Sequence, residues 1–535
     1  MKLRKGTRLW QTRTSTFVLV GLAAVSLSGC DGVWSDRASD CKLTLMCEEY
    51  GGLWDRDPSA AGCVPSEKAS AVDDRCGVFV AASGNDGSAG TKAEPVKTLA
   101  EALRRAGETG SDVYACAEPF AESVEVPAGI ALFGGLDCAS GWTWIGEQTK
   151  TTVAPETEAI PLTLARGEGT TRVEDIEARA PDAQAKGGSS IAVLADGATA
   201  ELARCALVAG NAGDGADGDD APSDAPERAP AGSNGVDACS DLDEMDGPDA
   251  TLPGGAQVVN ACGGELSIGG GGGDGNTDNG AGGVAGQTGL EGQAGAGEPP
   301  SMSDSWSCGV TPGDPSKGGG NAGDNGTPGT PGAGASGLGA LSASGYTGVS
   351  GGDGTPGKPG QGGGGGGGAK GGPVCTGGVS GAGASGGSGG AGGCGGLAGQ
   401  GGRPGGASIA LASVDASVTL IDCTLSAGRG GNGGKGGDLQ PGGLGGIGGT
   451  GGTGVGGTKA ACDGGKGGQG GNGGPGGGGL GGPSLAIAFR GAPVVQQGQT
   501  SLTPGAPGTG GPGGSNNLTE NAGQDGLAAD TQELP

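Results

Sequence analysis

Between Ala206 and Pro483 the chain carries 102 of its 135 glycines. Glycine brings no side chain to a core and loses more conformational freedom on ordering than any other residue. A segment of this kind either stays a flexible coil or takes its order from backbone hydrogen bonds. The aromatic residues divide the chain in the same way. Eleven of the 14 occur by Trp144, and only Trp306, Tyr346 and Phe489 follow. An ordinary apolar core is therefore expected in the first third, and another source of order, or none, after it.

The tract has a register. Gly-Gly-X triplets run from Gly386 to Leu397, Gly430 to Asp438, Gly442 to Thr453 and Gly464 to Pro475. A period of three matches a polyproline-II-type helix. Two of its three edges would be bare glycine, close enough to neighbouring helices for backbone hydrogen bonds, with Asn432, Lys435, Leu444 and Ile447 along the third. The alternative is a disordered linker. Two sharper motifs fail. Gly345 to Gly366 keeps glycine at every third position, as collagen does, but breaks at Ala369. Gly433 to Asp438 matches the first six positions of a calcium-binding nonapeptide, yet Gln440 stands where a large apolar residue belongs and no tandem copy follows.

An apolar module borders the tract. Ser190-Ile191-Ala192-Val193, leading to Arg204-Cys205-Ala206-Leu207, recurs 218 residues later as Ser408-Ile409-Ala410-Leu411, leading to Asp422-Cys423-Thr424-Leu425. A third relative stands at Ser484-Leu485-Ala486-Ile487. The glycine segments then read as excursions between coils of one solenoid, with strands at 405–427 and 483–503 returning to extend it.

The net charge of -28 argues against nucleic acid as a partner, which needs clustered Lys and Arg. Asp214 to Asp249 holds twelve acids and one base, Arg228, and reads as a solvated, disordered spacer. Histidine is absent, which removes Ser-His-Asp and Cys-His nucleophile systems and histidine-containing zinc sites. No Cys-x2-Cys pair occurs, which argues against zinc by cysteine alone. No cofactor and no metal is expected.

Residues 1–29 have a basic leader (Lys2, Arg4, Lys5, Arg8, Arg13) and an apolar run from Phe17 to Leu27, too short to span a bilayer. They end in Leu27-Ser28-Gly29-Cys30, which resembles the lipobox of bacterial lipoproteins. The resemblance implies cleavage before Cys30, lipidation of that cysteine and attachment to a membrane, with the outer membrane or cell surface favoured. Of the 15 cysteines, 14 would then remain, an even set compatible with full pairing in an oxidising compartment.

Residues 76–210 are the expected folded domain. Gly77 to Ala82 reads as a strand, Ser83 to Gly90 as a polar loop, and Thr98-Leu99-Ala100-Glu101 has capping-box spacing before a helix with Leu99, Ala102, Leu103 and Ala106 on its apolar side. Strands are expected at Asp112 to Ala117, Glu122 to Val126, Ile130 to Phe133, Leu162 to Leu164, Thr171 to Ile176, Ile191 to Leu194 and Ala200 to Leu207. The order of strand, Gly84-Asn85-Asp86-Gly87 loop, Pro95 to Leu99 helix start, Val113 to Cys116 and Ile130 to Asp137 is similar to the opening of pectate-lyase-like right-handed parallel β-helix domains. In that family the helix caps the first coil. The glycine tract resembles the glycine-rich domains called PGRS in bacterial surface proteins.

The expected fold is mainly β: a short right-handed parallel β-helix interrupted by a long glycine-rich region, either polyglycine helices or disordered. The expected layout is signal peptide 1–29, cysteine-containing tether 30–75, β-helix-like domain 76–210, acidic then glycine-rich region 211–404, returning strands 405–427, Gly-Gly-X tract 428–482, returning strands 483–503 and a disordered tail 504–535. The functional expectation is a non-catalytic envelope or surface lipoprotein with a structural or adhesive role, contacting the membrane through Cys30 and, beyond it, envelope polysaccharide or another surface protein. The alternative is a carbohydrate-active β-helix enzyme or a polysaccharide-binding protein. Catalysis would need carboxylates and bases clustered on adjacent coils. The available members are Asp137, Arg172, Asp175, Asp196, Arg204 and Asp422, each more simply a turn or solvent-facing residue.

Overall fold

Helix α1, Leu99–Thr109, begins where Thr98 takes extended backbone and its side chain accepts the Glu101 N–H at 3.2 Å. Only half of the capping box forms, because Glu101 turns to Arg104 and Arg105 instead. The Thr98 N–H goes to Asp86 of the polar loop at 2.9 Å, and Glu122 accepts the N–H groups of Leu99 and Ala100 at 3.0 Å each. A carboxylate thus meets the positive end of the helix. Gly110 closes it in the left-handed region, φ 66°. Leu99, Ala102, Leu103 and Ala106 are buried, the four expected from the pattern.

The structure, a computed structural model, describes residues 62–67, 71–240, 251–287, 292–301, 303–375, 379–517 and 519–535, which belong to the unit Pro58–Pro535. Cys30, the leader and most of the 30–75 tether lie outside the described residues.

Strands dominate and gather in three parallel sheets. The first runs Gly77–Val80, Asp112–Cys116, Ala131–Asp137, Thr170–Glu174, Thr199–Ala203, Ser417–Ile421, Val495–Gln497, with Thr143–Trp144 added antiparallel to Ala131–Asp137. The second runs Pro119–Phe120, Thr151–Val153, Ile176–Arg179, Ala206–Val208, Thr424–Ser426, Ser501–Thr503. The third runs Val124–Val126, Leu162–Leu164, Ser190–Asp196, Ser408–Val414, Ser484–Arg490, Ala528–Glu533. From Leu162 onward the chain visits third, first and second sheets in turn. Val193 pairs with Leu162, 31 residues earlier, and Thr199 with Thr170, 29 earlier. Inward side chains of all three sheets meet in one core that includes Leu132, Leu164, Val173, Leu202, Leu207, Leu420 and Ile487.

The 218-residue recurrence is a ladder. Ile191 pairs with Ile409, Thr199 with Ser417 and Leu207 with Leu425, and Ile409 pairs onward with Leu485. The copies are adjacent rungs, so the described residues between Ala209 and Ala407 lie outside the three sheets, and the chain rejoins them one rung on. Two expected strands are each split by a corner. Thr171 to Ile176 breaks at Asp175 and Ala200 to Leu207 at Arg204, both in the left-handed region at φ 54°; Asp422 repeats the corner at φ 53°. One residue of that conformation turns the chain from the first sheet to the second. Aspartate tolerates it better than most.

The glycine excursions are ordered by backbone hydrogen bonds that recur every third residue. In Gly430 to Asp438, Gly430, Gly433 and Gly436 donate to Ala506, Thr509 and Pro512, while Gly431, Gly434 and Gly437 donate to Gly406, Arg403 and Gln400. Bare glycine serves both paired edges because an added Cβ would strike a neighbouring backbone there. The run Gly362 to Gly368 is the limiting case. Its N–H groups reach segments 281–287, 387–390 and 318–321, and its carbonyls accept from 270–273, 295–298 and 462–465. Six neighbours leave no edge for a side chain, and the sequence there is seven consecutive glycines.

The third triplet position reports local cover. Lys466, Gln469 and Asn472 are exposed. Further along the same edge, Gly478 and Gly481 stand where they donate to Asn521 and Gln524 of the C-terminal segment. Three disulfides pin the excursions: Cys239–Cys375, Cys262–Cys394 and Cys308–Cys462.

Three expectations need correction. The acidic stretch is not a disordered spacer over its described part, 214–240, because its side chains hold neighbouring backbone. The tail 504–535 is not disordered throughout, since 505–514 packs on the glycine segments and Ala528–Glu533 extends the third sheet. The cysteines are not fully paired: among the described residues five disulfides form, whereas Cys205 and Cys423 are buried free thiols. Stacked on successive rungs, with the Cys205 N–H 3.4 Å from the Cys423 sulfur, they fill core positions as small apolar groups.

Candidate functional site

Among the described residues, two buried carboxylates and two arginines converge at the corner beside the first sheet. Glu174 and Asp175, each 1% exposed, end one rung, and Arg204 projects from the corner of the next. The Arg204 guanidinium donates to both Asp175 oxygens at 3.0–3.1 Å and to Glu174 Oε2 at 2.5 Å, and lies 5.5 Å above the Trp144 ring. Trp144 donates its indole N–H to Asp175 Oδ2 at 2.8 Å, and Ser66 donates to Glu174 Oε2 at 3.1 Å. Arg172 pairs with Glu174 Oε1. Three of the four carboxylate oxygens of Glu174 and Asp175 are hydrogen-bonded, and the fourth, Glu174 Oε1, faces Arg172 as an ion pair without a hydrogen bond.

Of the six residues considered for catalysis, Arg172, Asp175 and Arg204 meet here. The other three stand apart, Asp137 and Asp196 at strand ends and Asp422 at its corner: Asp137 accepts the Ser140 N–H at 3.0 Å, Asp196 pairs with Arg166 at 3.0 Å, and Asp422 accepts the Gln499 N–H at 2.7 Å. Hydrogen bonds from Ser140 hold the Asp137 carboxyl below the usual aspartate value. Burial pushes the Cys205 thiol well up, which leaves it unreactive.

A second arrangement lies on the outside of the glycine segments. Where an X residue has no neighbouring carbonyl for its N–H, an Asp or Asn side chain supplies the acceptor. Asp214, Asp217 and Asp220 take the N–H groups of Asn432, Lys435 and Asp438 at 2.7–2.8 Å. Asn234 and Asp237 do the same for Thr450 and Thr453, Asn432 for Thr509 and Asp438 for Ser515. The backbone N–H of Asn432 lowers the Asp214 carboxyl, that of Thr453 lowers Asp237, and the Lys435 ammonium lowers Asp438. Sequence reasoning missed this ladder. Its signal was there: Asp214, Asp217 and Asp220 share the triplet period, and each lies 218 residues before its partner, the same spacing as the apolar module. The row is interrupted at Leu444 and Ile447, which are 46% and 63% exposed.

Chemically, the buried cluster fastens a corner, and the outer face offers a regular grid of amide, carboxylate, hydroxyl and ammonium groups, about 9 Å apart along each segment if the rise is that of a polyproline-II-type helix. Among the described residues no three His, Cys, Asp or Glu side chains converge as metal ligands, and no helix is long and apolar enough to cross a membrane. Comparison with protein-family models, with curated proteins and with solved structures finds no match. Cys30, the expected lipidation site, lies outside the described residues.

Proposed function

We propose that the chain is a non-catalytic lipoprotein of a bacterial envelope, anchored through lipid at Cys30, with a rigid body that serves a structural or adhesive role at the outer membrane or cell surface. In this reading the three sheets form a short right-handed parallel β-helix capped by α1, as in the pectate-lyase-like domains its opening resembles. The glycine segments form a bundle of polyproline-II-type helices docked on its side, akin to PGRS domains. The cyclic order of the sheets, the rungs of about 30 residues and the repeated corner at Asp175, Arg204 and Asp422 support the first part. The period-three hydrogen bonding supports the second.

The observation that carries the functional reading is the division of labour within the triplets of the outer segments. Two positions are spent on backbone contacts that only glycine permits, and the third is turned outward at Leu444, Ile447, Lys466, Gln469 and Asn472, so these segments convert length into displayed surface. The arrangement in the Glu174–Asp175–Arg204 cluster weighs against the carbohydrate-active enzyme, since a general acid or base needs a free proton site facing substrate. The test is metabolic labelling of the full-length chain with radioactive palmitate, with protease treatment of intact cells. Label at Cys30, its loss in Cys30→Ser, and degradation of the body by external protease are expected. An unlabelled, freely released product, or a body shielded in intact cells, would overturn the reading.

A further inference from the structure

One hairpin of the glycine region is built inside out. Val258–Cys262 and Glu265–Gly269 pair antiparallel around Gly263 and Gly264, whose φ values of 57° and 101° make the tight turn. Alternation along the strands puts Asn260, Cys262 and Ser267 on one face and Val259, Ala261, Leu266 and Ile268 on the other. A hairpin resting on a larger body ordinarily turns its apolar face inward. Here the polar face is inward and fastened three times. Asn260 donates to the Gly392 carbonyl at 2.9 Å, and buried Ser267 bridges the Gly360 carbonyl and the Gly392 N–H at 2.7 and 2.8 Å. Cys262 is bonded to Cys394. The hairpin cannot roll over. Val259 and Leu266 are left 51% and 53% exposed, and Val284, on the segment beside Ile268, is 50% exposed.

The same hairpin has an open edge. Ile268 exchanges both backbone bonds with Gln287, on the side away from Val259. Val259 and Ala261 must then point their N–H and C=O groups away from Ile268 and Leu266; no described strand pairs with them, and only the Cys394 sulfur lies near, 3.8 Å from the Ala261 carbonyl. The last strand of the third sheet, Ala528–Glu533, guards its edge with Asp530 and Glu533. Val258–Cys262 carries neither charge nor proline.

We propose that this hairpin is a docking site for an extended strand of another protein, one that alternates apolar with neutral or basic residues. Such a strand would add to the Val258–Cys262 edge by backbone hydrogen bonds and continue the apolar face of Val259 and Leu266. A bilayer is a poorer occupant, because it offers nothing to the outward backbone groups. A second copy is disfavoured by the net charge of -28, since two such chains repel. The site goes beyond the display role and stands on the hairpin alone, whether or not the chain is lipid-anchored.

The test uses the intact soluble body and a fluorescein-labelled eight-residue peptide alternating Val and Lys, read by anisotropy. Saturable binding is expected, at least tenfold weaker to the double variant Val259→Ser/Leu266→Ser and at least tenfold weaker for the same peptide N-methylated on one bonding edge. Both substituted positions are exposed, and an unchanged melting profile verifies the fold. Binding that ignores either change would mark general attraction to an acidic surface and sink the proposal, as would no binding. Sedimentation showing a dimer that Val259→Ser/Leu266→Ser abolishes would overturn it in favour of a second copy.

Discussion

Replacing Gly365 by alanine adds a single methyl group at the most crowded point of the glycine region. The Cβ would stand 1.8 Å from the Gly271 carbonyl oxygen, so segments 362–368 and 270–273 must separate by more than 1 Å to admit it. Overpacking of this kind costs about 1–3 kcal/mol. Separation also weakens the bonds that Gly365 makes, from its N–H to Val284 at 2.9 Å and to its carbonyl from Gly295 at 2.9 Å, at about 0.5–1.5 kcal/mol each. Alanine returns about 0.4–1 kcal/mol by restricting the unfolded chain. The net loss is about 1–5 kcal/mol. Lys466→Ala, at an exposed third position, should change stability by no more than about 0.5 kcal/mol. Urea unfolding of the two variants beside the parent measures both. If Gly365→Ala unfolds with the parent, the close packing around Gly362 to Gly368 is wrong.

The ladder makes stability depend on pH. Asp214 and Asp237 titrate below the ordinary 3.8, so their contribution is complete above that value and lost as pH falls through their folded values. The urea midpoint should hold between about pH 7 and 5 and drop below about pH 4; Asp214→Asn/Asp237→Asn, which keeps the accepting oxygens, should flatten part of that drop. Arg204→Met strands Glu174 and Asp175 in a dry corner and should cost about 3–5 kcal/mol in the same assay. Peptide mapping without reductant should return Cys262–Cys394 and Cys308–Cys462, with Cys205 and Cys423 alkylated only after denaturation; a Cys205–Cys423 disulfide would contradict the buried thiols.

What could be read in the sequence was whatever a single local rule governs. The four apolar residues of α1 follow helical spacing, and the 218-residue recurrence follows from two rungs sharing one pleat. Gly-Gly-X follows from two buried edges and one free edge. What escaped depends on partners far along the chain. Asp214 looks like part of a solvated charge run until Asn432 is beside it, and then it is an acceptor for a stranded N–H. Asp175 and Arg204 adopt the left-handed region without any glycine to announce it, so two short strands looked like one. Even cysteine parity suggested complete pairing, but a parallel stack places Cys205 and Cys423 as core fillers. The hairpin at 258–269 has ordinary alternation, and only the bundle beneath it shows that the faces are reversed.

Hydrogen exchange followed by mass spectrometry tests the central claim most directly, because backbone bonds are nearly all that can order such a chain. In the intact oxidised protein, peptides spanning Gly362 to Gly368 should exchange far more slowly than the exposed loop around Gly456, and reduction of the disulfides should raise their rate. Exchange of Gly362 to Gly368 at the rate of an unstructured glycine chain would contradict the account.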